Sequence, residues 1–461
     1  MKSYDAIVIG AGQAGGPIAM SFAREGRKVA LIEKDRVGGT CLNYGCRPTK
    51  ALRKSAEVAH LARQAAEYGV NVGKVEVDFA AVMARKNRII GGMQDGYDAF
   101  IEKVEGLDLY RGKGAFTGRE GDTYRVAVNG ETLQASEVYI NVGVRAFIPP
   151  IEGIEDVPFL TERGVLALDE LPRHLIVIGA GYIGLEFAQM FRRFGSEVTI
   201  VETRPRLMPR QDEDVCSSVT EIFEKEGLNV VTDSRAVAAR KDAGDIEVTL
   251  ERSDGSRSTI QGSHLLLSTG RVPNTDDLGL ESIGLETDER GYIPVDGGLA
   301  TGLPGIWALG DVNGRGAFTH TAYQEYEIFA ANRKGGARSV DDRVITSVLF
   351  IDPPMGQVGL TEMEAKARGI NLLVGKLPMT RISRAQLDGT TDGLFKILVD
   401  GDTDRIVGCT ILGSQGDDVI AIVSNFMATG AKYQVLRDAL PVHPTVGEFL
   451  PTLLGSLKPA E

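Results

Sequence analysis

Cysteine is scarce. Four occur in 461 residues, Cys41, Cys46, Cys216 and Cys409, too few for a secreted scaffold stapled by disulfides. Long apolar runs are also missing. No stretch reaches the about 18 residues that cross a bilayer, and Met1-Lys2-Ser3 leads into Ala6-Ile7-Val8-Ile9, soon broken by glycines and followed by no cleavage pattern. Basic charge is in deficit, 51 Lys and Arg against 63 Asp and Glu for a net −12, which excludes a nucleic-acid or membrane surface as the main partner. Histidine is rare, and His60, His174, His264 and His320 show no metal-ligand spacing, so no metal site is expected. A cytoplasmic protein with neither a nucleic-acid nor a membrane partner is the expectation. The remainder, 43% hydrophobic and 25% charged, is ordinary, and the length exceeds what one core supports, so roughly two to four domains are expected.

What is present begins with a glycine turn. Tyr4 to Ile9 reads as a buried strand running into Gly10-Ala11-Gly12-Gln13-Ala14-Gly15, then a helical stretch to about Glu25, then the strand Val29 to Ile32 ended by Glu33. Glycines there let a backbone approach a pyrophosphate at a helix N-terminus, and the acid accepts from a ribose hydroxyl. The unit recurs at Leu175 to Ile178, Gly179-Ala180-Gly181-Tyr182-Ile183-Gly184, Val198 to Val201 and Glu202. Gly10 and Gly179, like Glu33 and Glu202, are 169 residues apart. Two dinucleotide sites are therefore expected.

Just after the first unit comes Gly39-Thr40-Cys41-Leu42-Asn43-Tyr44-Gly45-Cys46-Arg47-Pro48-Thr49-Lys50. Two close thiols in a reducing compartment read as a redox-active pair. The helical period of Ala51, Ser55, Val58, Ala59 and Ala62 puts Cys46 at a helix start, where free N–H groups and the macrodipole stabilise a thiolate. Residues 51–105 read as mostly helical and 107–142 as short strands. The prolines of Phe147-Ile148-Pro149-Pro150-Ile151-Glu152-Gly153 hold an extended crossing. Gly305 to Asp311 is a strand ending in Gly-Asp, followed by a helix from about Thr321. Residues 344–461 alternate strands and helices, as suits an antiparallel sheet with helices, and end in Pro441-Val442-His443-Pro444-Thr445-Val446-Gly447-Glu448.

This order of motifs resembles the pyridine nucleotide-disulfide oxidoreductases that include dihydrolipoamide dehydrogenase, glutathione reductase and mercuric reductase, over nearly the whole chain. The resemblance implies an α/β fold with two Rossmann-like dinucleotide-binding domains and a C-terminal α+β dimerisation domain. The division expected is a FAD-binding domain at 1–149, an NAD(P)-binding domain at 150–267, a segment completing the FAD site at 268–338, and an interface domain at 339–461. It implies a homodimer whose active site is shared between subunits. Gly10, Gly12, Gly15, Glu33, Gly39, Thr40, Lys50, Gly143, Asp311 and Ala322 are assigned to FAD, and Gly179, Gly181, Tyr182, Gly184, Glu202 and Gly270 to NAD(P). Cys46 is assigned to the flavin and Cys41 to substrate. Lys50 and Glu186 match an ion pair near the flavin, Tyr182 a ring that covers it, and His443 with Glu448 a dyad reaching the partner's thiols.

The implied activity carries electrons from nicotinamide through FAD to a Cys41–Cys46 disulfide and on to a substrate disulfide, or in reverse from a dithiol such as dihydrolipoamide to NAD. Glu202 favours a free 2′-hydroxyl, hence NADH, while Arg204 and Arg206 close behind keep NADPH open. Stretches such as Val344 to Pro354 look closest to the mercuric-reductase branch and its reactive-chlorine-resistance relative. The chain has no cysteine after Cys409 and keeps the His-Glu dyad, so disulfide chemistry is expected ahead of reduction of Hg(II) or Cu(II). A flavoprotein with mainly a binding or sensing role is the further alternative. Arg47 departs from the family pattern, which carries an aliphatic residue there, and suggests an anionic or bulky disulfide.

Overall fold

The computed structural model describes residues 1–460. Ala6–Ile9 and Val29–Glu33 are buried on both faces and apolar up to the terminal Glu33, as strands of a helix-covered parallel sheet are. They form the centre of a five-stranded parallel sheet in the order 306–308, 138–140, 6–9, 29–33, 107–111. Helix α1 (Gly15–Arg24) makes the crossover between the first two strands. The second repeat builds a like sheet, ordered 159–160, 264–267, 174–178, 197–201, 229–231 and parallel throughout. Even the register repeats, since Ala6 pairs with Val29 and Leu175 with Val198. Each equivalent is again 169 residues along.

Five helices shape the space above the first sheet's carboxyl end. Helix α2 (Gly39–Asn43) is a short turn of helix, and α3 (Cys46–Gln64) follows it. Helix α4 (Phe79–Ile101) returns beside α3, its start capped by the Asp78 carboxylate accepting from the Ala81 N–H. The short α5 (Glu162–Val165) precedes the second repeat, whose crossover helix is α6 (Tyr182–Phe194). One large apolar cluster joins these parts: Leu52 and Ala56 of α3 and Phe79 and Met83 of α4 pack with Phe187 and Phe191 of α6. The thiol-bearing helix is thereby fixed against the second nucleotide unit.

Helix α7 (Glu213–Lys225) belongs to the second unit, and α8 (Thr319–Arg333) follows the Gly310-Asp311 turn. The C-terminal region folds as a six-stranded antiparallel sheet ordered 346–349, 355–359, 405–412, 394–400, 372–378, 458–459, packed with helices. It is anchored to the second unit by Lys396, 2% exposed, whose Nζ sits 2.8 Å from Asp212 and 2.7 Å from Glu362. A buried ammonium is tolerated only with such partners. No helix among the described residues is long and apolar enough to cross a membrane.

Candidate active site

Cys46 is the first residue of α3, as the helical period predicts, and Cys41 lies inside the short α2. Neither is joined to another cysteine in this structure. Cys46 Sγ is 3.3 Å from Thr319 Oγ1 at the first position of α8. Its thiol is pushed down to about 5, foremost by the hydrogen bond from Cys41, then by the Thr319 hydroxyl and the Lys50 charge, which outweigh burial. Cys41 moves the other way, raised by that same hydrogen bond and by burial. The hydrogen bond between them thus favours the proton on Cys41 and the negative charge on Cys46.

Lys50 is one turn along α3 from Cys46, and its Nζ donates to Glu186 Oε2 of α6 at 2.8 Å. Glu186 Oε1 accepts from the Phe350 N–H at 3.0 Å, so the carboxylate is held at both oxygens. Tyr182, at the start of α6, has its hydroxyl 3.0 Å from Ser347 Oγ and its ring 5.8 Å from that of Phe318.

A cavity of about 730 Å³ connects these groups to the first glycine turn. Of the residues expected at a cofactor, Gly10, Gly12, Glu33, Gly39, Thr40, Lys50, Gly143, Asp311, Ala322 and Tyr182 line it, together with Cys41, Cys46 and Glu186. Gly15 stands behind the turn, packed on it: a Cβ there would lie 2.0 Å from Gly10 O. The second turn, with Gly179, Gly181, Gly184, Gly270 and Glu202, lies outside the cavity at the carboxyl edge of the second sheet. The two are linked by α6, which starts at that turn and walls the cavity with Tyr182 and Glu186.

The two acidic residues repeat in detail. Glu33 Oε2 accepts from the Ala11 N–H at 2.9 Å, and Glu202 Oε2 from the Ala180 N–H at 3.0 Å. Their second oxygens accept from the N–H groups of Asp35 and Arg204. Burial pushes the Glu33 carboxyl up, against the pull of its backbone donors. Asp311 is likewise raised by burial, opposed by the Arg271 guanidinium at 3.0 Å.

His443 and Glu448 form the expected pair, Nδ1 to Oε2 at 2.9 Å. They do not join the thiols of their own chain: His443 is absent from the cavity wall and its side chain is 76% exposed. Three residues of the site were not anticipated. Asn141, buried, accepts the Gly15 N–H on Oδ1 and donates from Nδ2 to Leu309 O. Thr319 touches Cys46, and Arg271 pairs with Asp311. Asn141 had a signal, a polar residue directly after the apolar Val138-Tyr139-Ile140. Thr319 and Arg271 had none beyond lying in turn-rich stretches.

Two dinucleotide units meeting at a close thiol pair beside a Lys–Glu ion pair define a nucleotide-dependent thiol–disulfide oxidoreductase. The family model described as pyridine nucleotide-disulphide oxidoreductase matches residues 4–325, and that of its dimerisation domain matches 345–454, so the chain belongs to this family of flavin-dependent enzymes. It is similar to a dihydrolipoyl dehydrogenase of Thermus scotoductus, 36% identical over 98% of this chain and 96% of the relative. It is 33% identical to a mercuric reductase of Lysinibacillus sphaericus over 97% of this chain and 81% of the other. Among solved structures, the HOCl-induced flavoprotein disulfide reductase RclA from Escherichia coli superposes with a TM-score of 0.88 at 32% identity, covering 98% of this chain and 99% of that one.

The family uses FAD with a pyridine nucleotide, and the residues present fit both. At Gly10 a Cβ would stand 2.3 Å from Asn141 O, which the fold itself forbids. Gly143, on the cavity wall, and Gly181 are different: a Cβ at either would meet nothing within 4 Å. Gly143 has φ +64°, a conformation that itself favours glycine, whereas Gly181, at φ −84°, is required by neither packing nor backbone, which leaves open space for a nucleotide at the second turn.

Proposed function

We propose that this enzyme reduces a substrate disulfide at the expense of NADH, its dithiol being Cys41 and Cys46. The observation that carries the reading is the placement of the two thiols, five residues apart at the α2–α3 junction beside the Lys50–Glu186 ion pair, within a cavity that reaches the first glycine turn. Bound FAD supplies the two-electron relay between nicotinamide and the thiols.

The chain's own residues do the rest. Gly10, Gly12, Gly15 and Glu33 hold the adenosine and pyrophosphate of FAD, with Gly39, Thr40, Gly143, Asp311 and Ala322 along its remainder. Gly179, Gly181, Gly184, Glu202 and Gly270 hold the nicotinamide nucleotide, which Tyr182 admits. The Glu202 carboxylate, fixed by two backbone donors, suits a free 2′-hydroxyl and repels a 2′-phosphate, which favours NADH over NADPH even with Arg204 beside it. Lys50, oriented by Glu186, places a positive charge next to Cys46. Cys41, once deprotonated, attacks the substrate disulfide, and Cys46 then attacks Cys41 to release the second thiol. His443 of the partner subunit, oriented by the partner's Glu448, takes the Cys41 proton and returns it to the leaving thiolate, a role worth roughly 100- to 10,000-fold.

Metal-ion reduction is the second reading, favoured by the likeness to mercuric reductases and to an RclA structure solved as a Cu(II) complex. One panel separates them: NADH and NADPH against lipoamide, glutathione disulfide, coenzyme A disulfide, Hg(II) and Cu(II). Disulfide turnover abolished by Cys41→Ser is the expected result. Turnover of Hg(II) or Cu(II) alone overturns the first reading.

A further inference from the structure

Arg47 is the second residue of α3, next to Cys46, and it is exposed. Among the described residues no carboxylate pairs with its guanidinium. Its one hydrogen-bond contact is Nη1 to the Met93 sulfur of α4, at 3.8 Å. Its charge is nevertheless felt at Cys41, where it opposes the rise in the thiol pKa. The surroundings add to it. Arg36, also exposed, directs Nη1 to the neutral amide of Gln94, the residue after Met93, and the Gln94 amide in turn donates to Asn43 Oδ1. Two guanidiniums therefore flank one turn of α4 with no carboxylate on either. Asp95 is the nearest acid in sequence on that helix, and it lies about 200° round α4 from Met93.

Round α4 between Met93 and Asp95 lie two glycines. Gly92 and Gly96 are exposed, and a Cβ at either would meet nothing within 4 Å. Glycine in a helix interior is disfavoured relative to alanine, and here packing does not demand it. Arg47 and Arg36 thus put two positive charges with no carboxylate partner on the surface beside the thiol-bearing helix, in a protein whose net charge is −12.

We propose that Arg47 is a specificity-determining residue, drawing onto Cys41 low-mass disulfides that carry a carboxylate close to the sulfur. This rests on the reading of Cys41 as the thiol that exchanges with substrate. The exchange balances without further reactants. The Cys41 sulfur bonds to one substrate sulfur as the substrate S–S bond breaks, and the departing thiolate takes the proton that left Cys41. Cys46 then displaces the second substrate thiolate from Cys41, so the dithiol loses two electrons and the disulfide gains two. Arg47 takes no part in bond making; it holds the substrate's negative charge.

Two readouts test this on the FAD-loaded dimer. In the first, the NADH-reduced protein is alkylated with anionic iodoacetate and neutral iodoacetamide, and the labelled cysteine is mapped by mass spectrometry. The iodoacetate-to-iodoacetamide rate ratio at Cys41 should fall roughly 3- to 10-fold in Arg47→Leu, stay near wild type in Arg47→Lys, and decline with added salt in the wild type. In the second, kcat/KM is compared for dithiobis(nitrobenzoate) and uncharged dithiodipyridine, and their ratio should fall roughly 5- to 20-fold in Arg47→Leu. Ratios that Arg47→Leu leaves unchanged overturn the proposal while Cys41 remains the exchange thiol. Disulfide turnover that survives Cys41→Ser overturns the reading of Cys41 itself, and with it the proposal.

Discussion

Cys46 owes its thiolate to three contacts that are lost in different ways. The hydrogen bond from Cys41 disappears when the pair oxidises, and the Lys50 charge cannot be removed without freeing Glu186. The Thr319 hydroxyl, by contrast, is deleted in Thr319→Val with almost no change of volume or charge. Because the folded pKa is depressed, the negative charge is present above about pH 5 and lost as pH falls through that value. Thr319→Val should move this loss to higher pH by about one unit, the worth of one hydrogen bond to a charged acceptor. A pH titration of thiolate absorbance in the reduced protein measures it, and an unmoved midpoint removes the hydroxyl from the account. The two thiols and Lys50 were legible because they share one short stretch whose helical period is plain. Thr319 was not, since it stands 273 residues away and nothing in a threonine's neighbours says which thiol it will meet.

At the level of the element, the two glycine turns are copies whose supports differ. In the first, Asn141 reaches under the turn to accept the Gly15 N–H; in the second, Ser268 donates to Gly179 O at 2.8 Å. The sheets and their register were readable from the repeated spacing, because a buried parallel strand and its crossover leave a strong apolar pattern. The supports were not, because they arrive on other strands. The same contrast separates structural glycines from ligand-facing ones. Gly15→Ala would drive a Cβ onto the Gly10 carbonyl, a backbone atom that cannot swing away, and should cost about 1–3 kcal/mol of stability. Gly181 has φ −84° and open space, so Gly181→Ala should unfold within about 0.5 kcal/mol of wild type while binding NADH several-fold more weakly. Urea unfolding and a nucleotide titration of the two variants check both halves. A Gly181→Ala protein with unaltered NADH affinity would mean that the nucleotide does not approach there.

For the whole molecule the informative residues are those that one chain leaves unused. His443 and Glu448 are paired, yet they stand outside the cavity that holds their own chain's thiols. Beside them Leu440 is 98% and Val442 75% exposed, apolar surface that a second copy would cover. A twofold dimer brings each subunit's C-terminal domain to the other by the same contact, so two such sites form together. The pairing of His443 with Glu448 could be read from five residues of sequence, whereas its separation from the thiols could not, because it depends on how the C-terminal sheet is held by Lys396 and its carboxylates. If each site takes its thiols from one subunit and its histidine from the other, two crippled chains repair one another when mixed. Cys41→Ser and His443→Gln homodimers each lack one half at both sites. A hybrid of the two has one site with both defects and one with neither. Unfolding and refolding an equal mixture should place half the molecules in hybrids and restore roughly a quarter of wild-type turnover. Activity no greater than the sum of the two parents would instead assign each dyad to the thiols of its own chain.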